Sequence, residues 1–441
     1  MRPLLHFTPV SGWMNDPHGI TFRGGRYEVF FQYVPGQTVW GPNCHWGHAS
    51  GPDLLSLREL PVAIAPGEGD DGIWTGSLVL DDAGDARVFY TSTTTPDFGI
   101  GRIRAATPVA DDWITWRKGE FVVDAPAGLD ILAYRDPFVR SEGETWRMFV
   151  GAALTDGTAM ALSYTSKDLE SWEYAGITLQ RSTNVTEPVW MGALWECPQI
   201  FELCRGIRSQ ITGLITGRAV MVSSVWDADV LHYAGYAVGT YADGIFRAES
   251  WGRLTFGDSY YAPSLFTDAD GRPCLLFWMR GIGDADAGWE GAHSVPHVLS
   301  LDGDRLVATP HPDVDAHRGP AATTGKVAGL AADIEWGNGG AGDLVISSGD
   351  ATVVTLRRDA DTITIHLEDS TVALPVEGLV RVIVDGPVLE VSSVAGVAGA
   401  AIAPAETDLT VSSTAGEVRV FPLSYPAGLP SVRVALGAGD R

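Results

Sequence analysis

Short runs with the two-residue rhythm of β-strands mark this chain from end to end. Tyr27-Glu28-Val29-Phe30-Phe31-Gln32-Tyr33 and Thr145-Trp146-Arg147-Met148-Phe149-Val150 both read as strands. Shorter alternating runs return later, in Asp343-Leu344-Val345-Ile346, Thr362-Ile363-Thr364-Ile365-His366-Leu367, Val380-Arg381-Val382-Ile383-Val384 and Glu417-Val418-Arg419-Val420-Phe421. Gly and Asp stand between them, as turns require. The pattern predicts an all-β protein. Composition agrees, because 52 Gly and 26 Pro break helices while 15 Trp and many Val/Thr runs suit strands.

A larger repeat lies over the strand pattern. An aromatic residue, a polar or acidic turn and an apolar strand recur as Trp13-Met14-Asn15-Asp16-Pro17, Trp74-Thr75-Gly76-Ser77-Leu78, Tyr134-Arg135-Asp136-Pro137-Phe138, Trp195-Glu196-Cys197-Pro198-Gln199 and Tyr261-Ala262-Pro263-Ser264-Leu265. Asp16, Gly76, Asp136 and Glu196 follow one another at intervals of 60 residues. A second repeat relates Ser50-Gly51-Pro52-Asp53-Leu54 to Ser166-Lys167-Asp168-Leu169, with a looser copy at Asp111-Asp112-Trp113. A fixed period of this size signals a propeller, solenoid or array, and it suits a four-stranded blade. Five copies predict a five-bladed β-propeller. Equivalent positions of all blades face one channel, so Asp16, Asp136 and Glu196 are expected to converge there.

The repeat fades near residue 305. Residues 306–330 are rich in Pro, Gly, Ala and Asp and read as a linker. The expected organisation is a propeller over 1–305, a linker over 306–330 and a β-sandwich over 331–441. Gly337-Asn338-Gly339-Gly340-Ala341-Gly342 lacks a strand-to-helix setting and reads as a loop, not a phosphate cradle.

The formal net charge of −25 repels phosphate backbones and anionic lipids, which argues against nucleic-acid and membrane partners. No apolar run is long enough to span a bilayer. The first residues lack the apolar core of a signal peptide, so a cytoplasmic location is expected. Cys44, Cys197, Cys204 and Cys274 form no CxxC pair, and free thiols are the expectation. Cys44, His45 and His48 lack a further ligand nearby, so neither metal nor other cofactor is expected.

Three carboxylates in one channel suit glycoside hydrolysis. One acid protonates the leaving oxygen, and one carboxylate attacks the anomeric carbon or activates water. A single Asp-Pro pair is ordinarily a turn; recurrence across repeats is what turns it into a candidate site.

The motifs resemble those of glycoside hydrolase family 32, the invertase, levanase and inulinase family. Trp13-Met14-Asn15-Asp16-Pro17-His18-Gly19 is similar to its WMNDPNG signature, Arg135-Asp136-Pro137 to its RDP motif and Trp195-Glu196-Cys197-Pro198 to its EC motif. Phe31-Gln32-Tyr33, Trp40 with His45-Trp46-Gly47-His48, Trp74-Thr75-Gly76-Ser77, Tyr260-Tyr261-Ala262-Pro263 and Phe277-Trp278 extend the match in the expected order. The resemblance implies a propeller plus sandwich and a retaining reaction on β-fructosyl bonds. It implies Asp16 as nucleophile, Glu196 as acid and then base, and Asp136 as the holder of fructose hydroxyls. Asn15, Gln32, Trp40, Trp74, Thr75, Arg135 and Trp278 would line the sugar site, since sugars need hydrogen-bonding groups and an aromatic platform.

The implied substrate carries terminal β-D-fructose: sucrose, fructo-oligosaccharide or fructan. Two other readings stay open, a fructosyltransferase of the same fold and a catalytically silent sugar-binding propeller. A phosphorylated sucrose would need a basic cluster, and no clear one stands out. His18 replaces the usual Asn, as a sugar contact or as a turn residue. Residues 204–213 look longer than the expected turn. Asp385-Gly386-Pro387 breaks the sandwich signature, so no part of the pocket is expected from that domain.

Overall fold

The computed structural model describes residues 1–204, 217–322, 325–404 and 407–424. Among these residues nearly every element is a strand, with the four-residue helix Asp313–Ala316 as the exception.

Five antiparallel units of four strands follow in chain order. The first blade is Gly12–Arg23, Arg26–Val34, His45–Gly51 and Arg58–Ile64. The second, third and fourth span Gly72–Leu80 to Trp116–Val123, Ile131–Glu142 to Glu173–Ser182 and Leu194–Cys204 to Ile245–Arg253. The fifth comprises Tyr260–Thr267, Pro273–Asp284, His297–Asp302 and Arg305–Pro310. The first strand of each blade packs beside the first strand of the next, and Tyr260–Thr267 returns to Gly12–Arg23. The ring is therefore a closed five-bladed propeller. A short strand, Trp289–His293, pairs antiparallel with Pro273–Asp284 and parallel with Gly12–Arg23, joining the last blade to the first.

Apolar side chains fill the gaps between blades. Phe30, Trp46, Ile73, Val88, Tyr90 and Trp116 pack between the first and second blades, and Trp195, Ile200, Phe149 and Met221 between the third and fourth. Each buried aliphatic, Phe or Met side chain among them contributes about 1.5–3 kcal/mol, so the ring closes by packing rather than by backbone bonds alone.

Two six-stranded sheets form the C-terminal sandwich around Trp336, Leu344, Ile346, Ile363, Ile365, Val382 and Val391. One edge strand, Thr255–Phe256, comes from the crossing between the fourth and fifth blades and pairs parallel at the end of its six-stranded sheet. The span 306–330, expected as a linker, is divided. Arg305–Pro310 is the outer strand of the fifth blade, with Leu306, Val307 and Ala308 buried, and Gly325–Ala328 belongs to the second sandwich sheet. The Pro and Gly that flank these short strands hide them in composition. Of the 204–213 segment, residues 205–213 lie outside the described residues.

Candidate active site

The innermost strands are not regular. Each carries a bulge at the same level of the channel, at Asn15–Asp16, Thr75, Asp136–Pro137, Cys197–Pro198 and Ala262–Pro263. Asp136, Cys197 and Ala262 have φ of 64°, 49° and 47°, and each precedes a proline. A left-handed residue of this kind costs about 1–2 kcal/mol, and the bulge re-aims the side chains around it. These three positions are structural equivalents. Glu196 stands one residue earlier, level with Arg135 and Tyr261. The 60-residue count that pairs Glu196 with Asp136 is thus off by one in the backbone, because the bulge, not the interval, fixes the register.

The three carboxylates nevertheless meet. The Cys197 thiol lies 3.7 Å from Asp16 Oδ2 and 3.7 Å from Asp136 Oδ2, and the Cys197 N–H donates to Asp136 Oδ2 at 2.9 Å. The Asp136 N–H donates to Thr91 Oγ1. Asp16 is buried and well served by donors. Thr75 Oγ1–H and Gln32 Nε2–H reach Oδ2 at 2.7 and 3.1 Å, and Asn15 Nδ2–H reaches Oδ1 at 3.2 Å. Glu196 is gripped on both oxygens, by Arg135 Nε–H at 3.1 Å and Tyr261 O–H at 2.6 Å.

Burial raises the Asp16 pKa to about 6; the Thr75, Asn15 and Gln32 hydrogen bonds oppose this, and the Glu196 charge adds to it. Asp136 is also raised, by burial and by Glu196, with Arg135 pulling the other way. The Cys197 thiol is pushed up well above its usual range by burial and then by the surrounding carboxylates, so it remains a neutral thiol.

The other expected site residues fall into three groups. Asn15, Gln32 and Thr75 converge on Asp16, and Arg135 on Glu196. Trp74 and Trp278 are buried beside the site: Trp74 lies 5.6 Å from the Arg135 guanidinium, and Trp278 packs edge-on against Trp13 and Tyr261. Trp40 stands farther out, 43% exposed, against Trp74 and Phe98. Tyr261 and Thr91 hold the site without having been expected there. For Tyr261 the repeat carried the signal, since it occupies the position of Glu196 in the fifth blade.

His18 is not a turn residue. It pairs with Phe30 inside its strand, its ring centroid lies 4.0 Å from that of Trp46, and it lines the channel with Thr75, Asp136 and Cys197. Burial holds its pKa well below the usual value, so the imidazole is neutral. Cys44 and His48 go separate ways, to Gly41 O and to Glu28. Asp268, Cys274 and His311 come within metal-ligand reach of one another. Asp268 is already occupied by Arg272 and His311, and Asp313 N–H donates to His311 Nδ1, which is the arrangement of a structural ion pair.

A family model described as "Glycosyl hydrolases family 32 N-terminal domain" matches residues 6–310. The chain belongs to glycoside hydrolase family 32. Residues 6–310 end where the fifth blade ends. Among relatives in this family, a sucrose-6-phosphate hydrolase of Zymomonas mobilis is 33% identical over 327 residues, which is 70% of this chain and 61% of that one. A levanase of Bacillus subtilis is 32% identical over 349 residues, 72% of this chain and 48% of that one. The match therefore spans less than two thirds of these relatives' own length. The solved structure of a GH32 β-fructofuranosidase from Bombyx mori superposes with a TM-score of 0.81 at 24% identity, covering 96% of this chain and 94% of that one. A fructan 1-exohydrolase from Cichorium intybus gives 0.77 at 20% identity, with 96% and 97% covered. These structures share the propeller-plus-sandwich fold.

Proposed function

We propose that this chain is a retaining glycosidase that releases terminal β-D-fructose from sucrose, fructo-oligosaccharides or fructans. The carrying observation is the division of labour between two carboxylates. Asp16 is fixed by Thr75, Gln32 and Asn15, while Glu196 is fixed separately by Arg135 and Tyr261. The related chains named sucrose-6-phosphate hydrolase and levanase support the substrate class.

In this reading Asp16, ionised at neutral pH, attacks the anomeric carbon as Glu196 protonates the departing oxygen. A covalent fructosyl ester on Asp16 results. Glu196, now a carboxylate, takes a proton from water, which attacks the anomeric carbon and frees Asp16. Arg135 and Tyr261 hold Glu196 in place through both steps. Asp136, next to Asp16 across the Cys197 thiol, accepts from fructose hydroxyls and steadies the positive charge of the transition state.

Among the described residues, two cations that act on Glu196 are already engaged. Arg135 serves Glu196 and Gly99 O, and Arg280 donates to the carbonyls of Leu231 and His232. Both guanidinium groups already serve protein acceptors, which favours unphosphorylated sugars at this end of the site. Product analysis on sucrose, levan and inulin tests the proposal. Free fructose supports it. Longer fructosyl oligomers as the main product would show transfer instead, and no turnover on any of the three would overturn it.

A further inference from the structure

The Asp385-Gly386-Pro387 turn of the sandwich lies at the boundary with the propeller, against the N-terminal segment. Asp385 Oδ1 accepts the Leu4 N–H at 2.6 Å, and Oδ2 accepts the N–H groups of Leu5 and His6 at 2.7 and 3.0 Å. The His6 ring is wholly buried between two sandwich carboxylates, with Nδ1 2.8 Å from Asp385 Oδ2 and Nε2 2.9 Å from Glu390 Oε1. An oxygen at each ring nitrogen requires a proton on each, so the ring is an imidazolium. Burial alone would lower its pKa, but the hydrogen bonds to Asp385 and Glu390 override burial and raise it to about 9.

This cluster connects to the carboxylates of the channel. Phe7, next to His6, accepts the His293 N–H at its carbonyl at 2.9 Å. Glu390 Oε1 also accepts the Val295 N–H at 2.8 Å, so one carboxylate oxygen holds both the His6 ring and the backbone two residues beyond His293. His293 Nε2 reaches the Asn15 carbonyl at 3.3 Å, and Asn15 Nδ2 donates to Asp16 Oδ1. The His293 ring is neutral, since burial lowers its pKa to about 3, so Nε2 donates.

We infer that His6, clasped by the sandwich carboxylates Asp385 and Glu390, is a positioning residue for the reaction: through Phe7 and His293 it fixes the backbone that aims Asp16. The inference rests on Asp16 being the nucleophile. The sandwich thereby acts on the channel without lining it. A small displacement of an attacking group is enough to lower turnover by as much as about 100-fold, so the latch is read in kcat before it is read in KM.

The test uses the full chain on sucrose, with folding followed by circular dichroism. His6→Gln keeps a side chain of similar reach but removes the charge and replaces one of the two donor nitrogens with an acceptor oxygen. It should lower kcat about tenfold at temperatures where the fold is intact, with KM changed less than about twofold. His293→Leu should do the same, and His293→Gln, which keeps a donor for Asn15, should recover most of the loss. In the double variant of His6→Gln and His293→Leu the losses should not multiply, since residues in one network couple. An unchanged kcat with only a lower melting temperature, or losses that multiply independently, would overturn the inference. Should His6→Gln fail to fold, Glu390→Gln, which keeps an acceptor for Val295, takes its place in the cycle. Failure of the nucleophile assignment would show separately, as Asp16→Asn retaining turnover.

Discussion

Two clusters of buried carboxylates, one in the propeller channel and one at the sandwich boundary, are handled in opposite ways. Burial pushes the pKa of both Asp16 and Asp385 up. At Asp385 the opposing forces win: His6 and the N–H groups of Leu4 and Leu5 hold the carboxyl below its ordinary value. At Asp16 burial outweighs the neutral donors Thr75, Asn15 and Gln32, and the pKa stays at about 6. The difference is the partner, not the depth. A carboxylate given a buried cation is a fastener, and one surrounded by neutral donors and other carboxylates is strained toward reaction.

The largest expected effect breaks the channel side. Asp16→Asn should lower turnover by at least about 10³-fold in a fructose-release assay. It should also raise stability at pH 7 by about 1–3 kcal/mol in chemical denaturation, because the ionised form is the one that burial penalises. Glu196→Gln should lower turnover by about 10²–10⁴-fold, most severely on substrates with poor leaving groups.

Asp385→Asn gives the opposite result. It leaves His6 short of one counter-charge and should destabilise by about 3–5 kcal/mol in the same denaturation experiment. Recovery of full stability with Asn would remove the contrast between the two clusters.

The pH dependences sharpen the comparison. Asp16 has a raised pKa, so its contribution to stability is present below about pH 4 and lost as pH rises toward 6. The acid limb of kcat/KM should fall tenfold per pH unit below about 6, following the same carboxyl. His6 is raised from 6.5 to about 9, so the boundary is strongest below pH 6.5 and loosens as pH rises through 9. Asp385 is lowered, so its share is present above its ordinary value and lost only in stronger acid. The smallest effect expected is from Tyr261→Phe, which removes one of two fasteners on Glu196; a loss of about 1–3 kcal/mol in transition-state stabilisation, read from kcat/KM, would match it.

Much of the fold is legible in the sequence because it is repetitive. Five aromatic-led segments announce five blades, and period-two runs such as Thr362–His366 announce the sandwich. The strand Arg305–Pro310 escapes, since six residues flanked by Pro and Asp look like linker. Within the candidate site, motif order picks out Asp16, Asp136 and Glu196, along with Asn15, Gln32, Thr75 and Arg135. It does not reveal that Glu196 precedes the left-handed position shared by Asp136 and Cys197, because a bulge changes which residue faces the channel without changing the count.

By itself the sequence determined the all-β class, the repeat, the family resemblance and the residue types available for chemistry, all of which depend on local pattern. Tertiary structure alone decided three things: the aim of Glu196 between Arg135 and Tyr261, the burial of a neutral His18 against Trp46, and the meeting of His6 with Asp385 and Glu390. No local pattern ties residue 6 to residues 385 and 390. Their contact, and the charge it stabilises, exist only once the N-terminal segment is enclosed between the two domains and water is excluded.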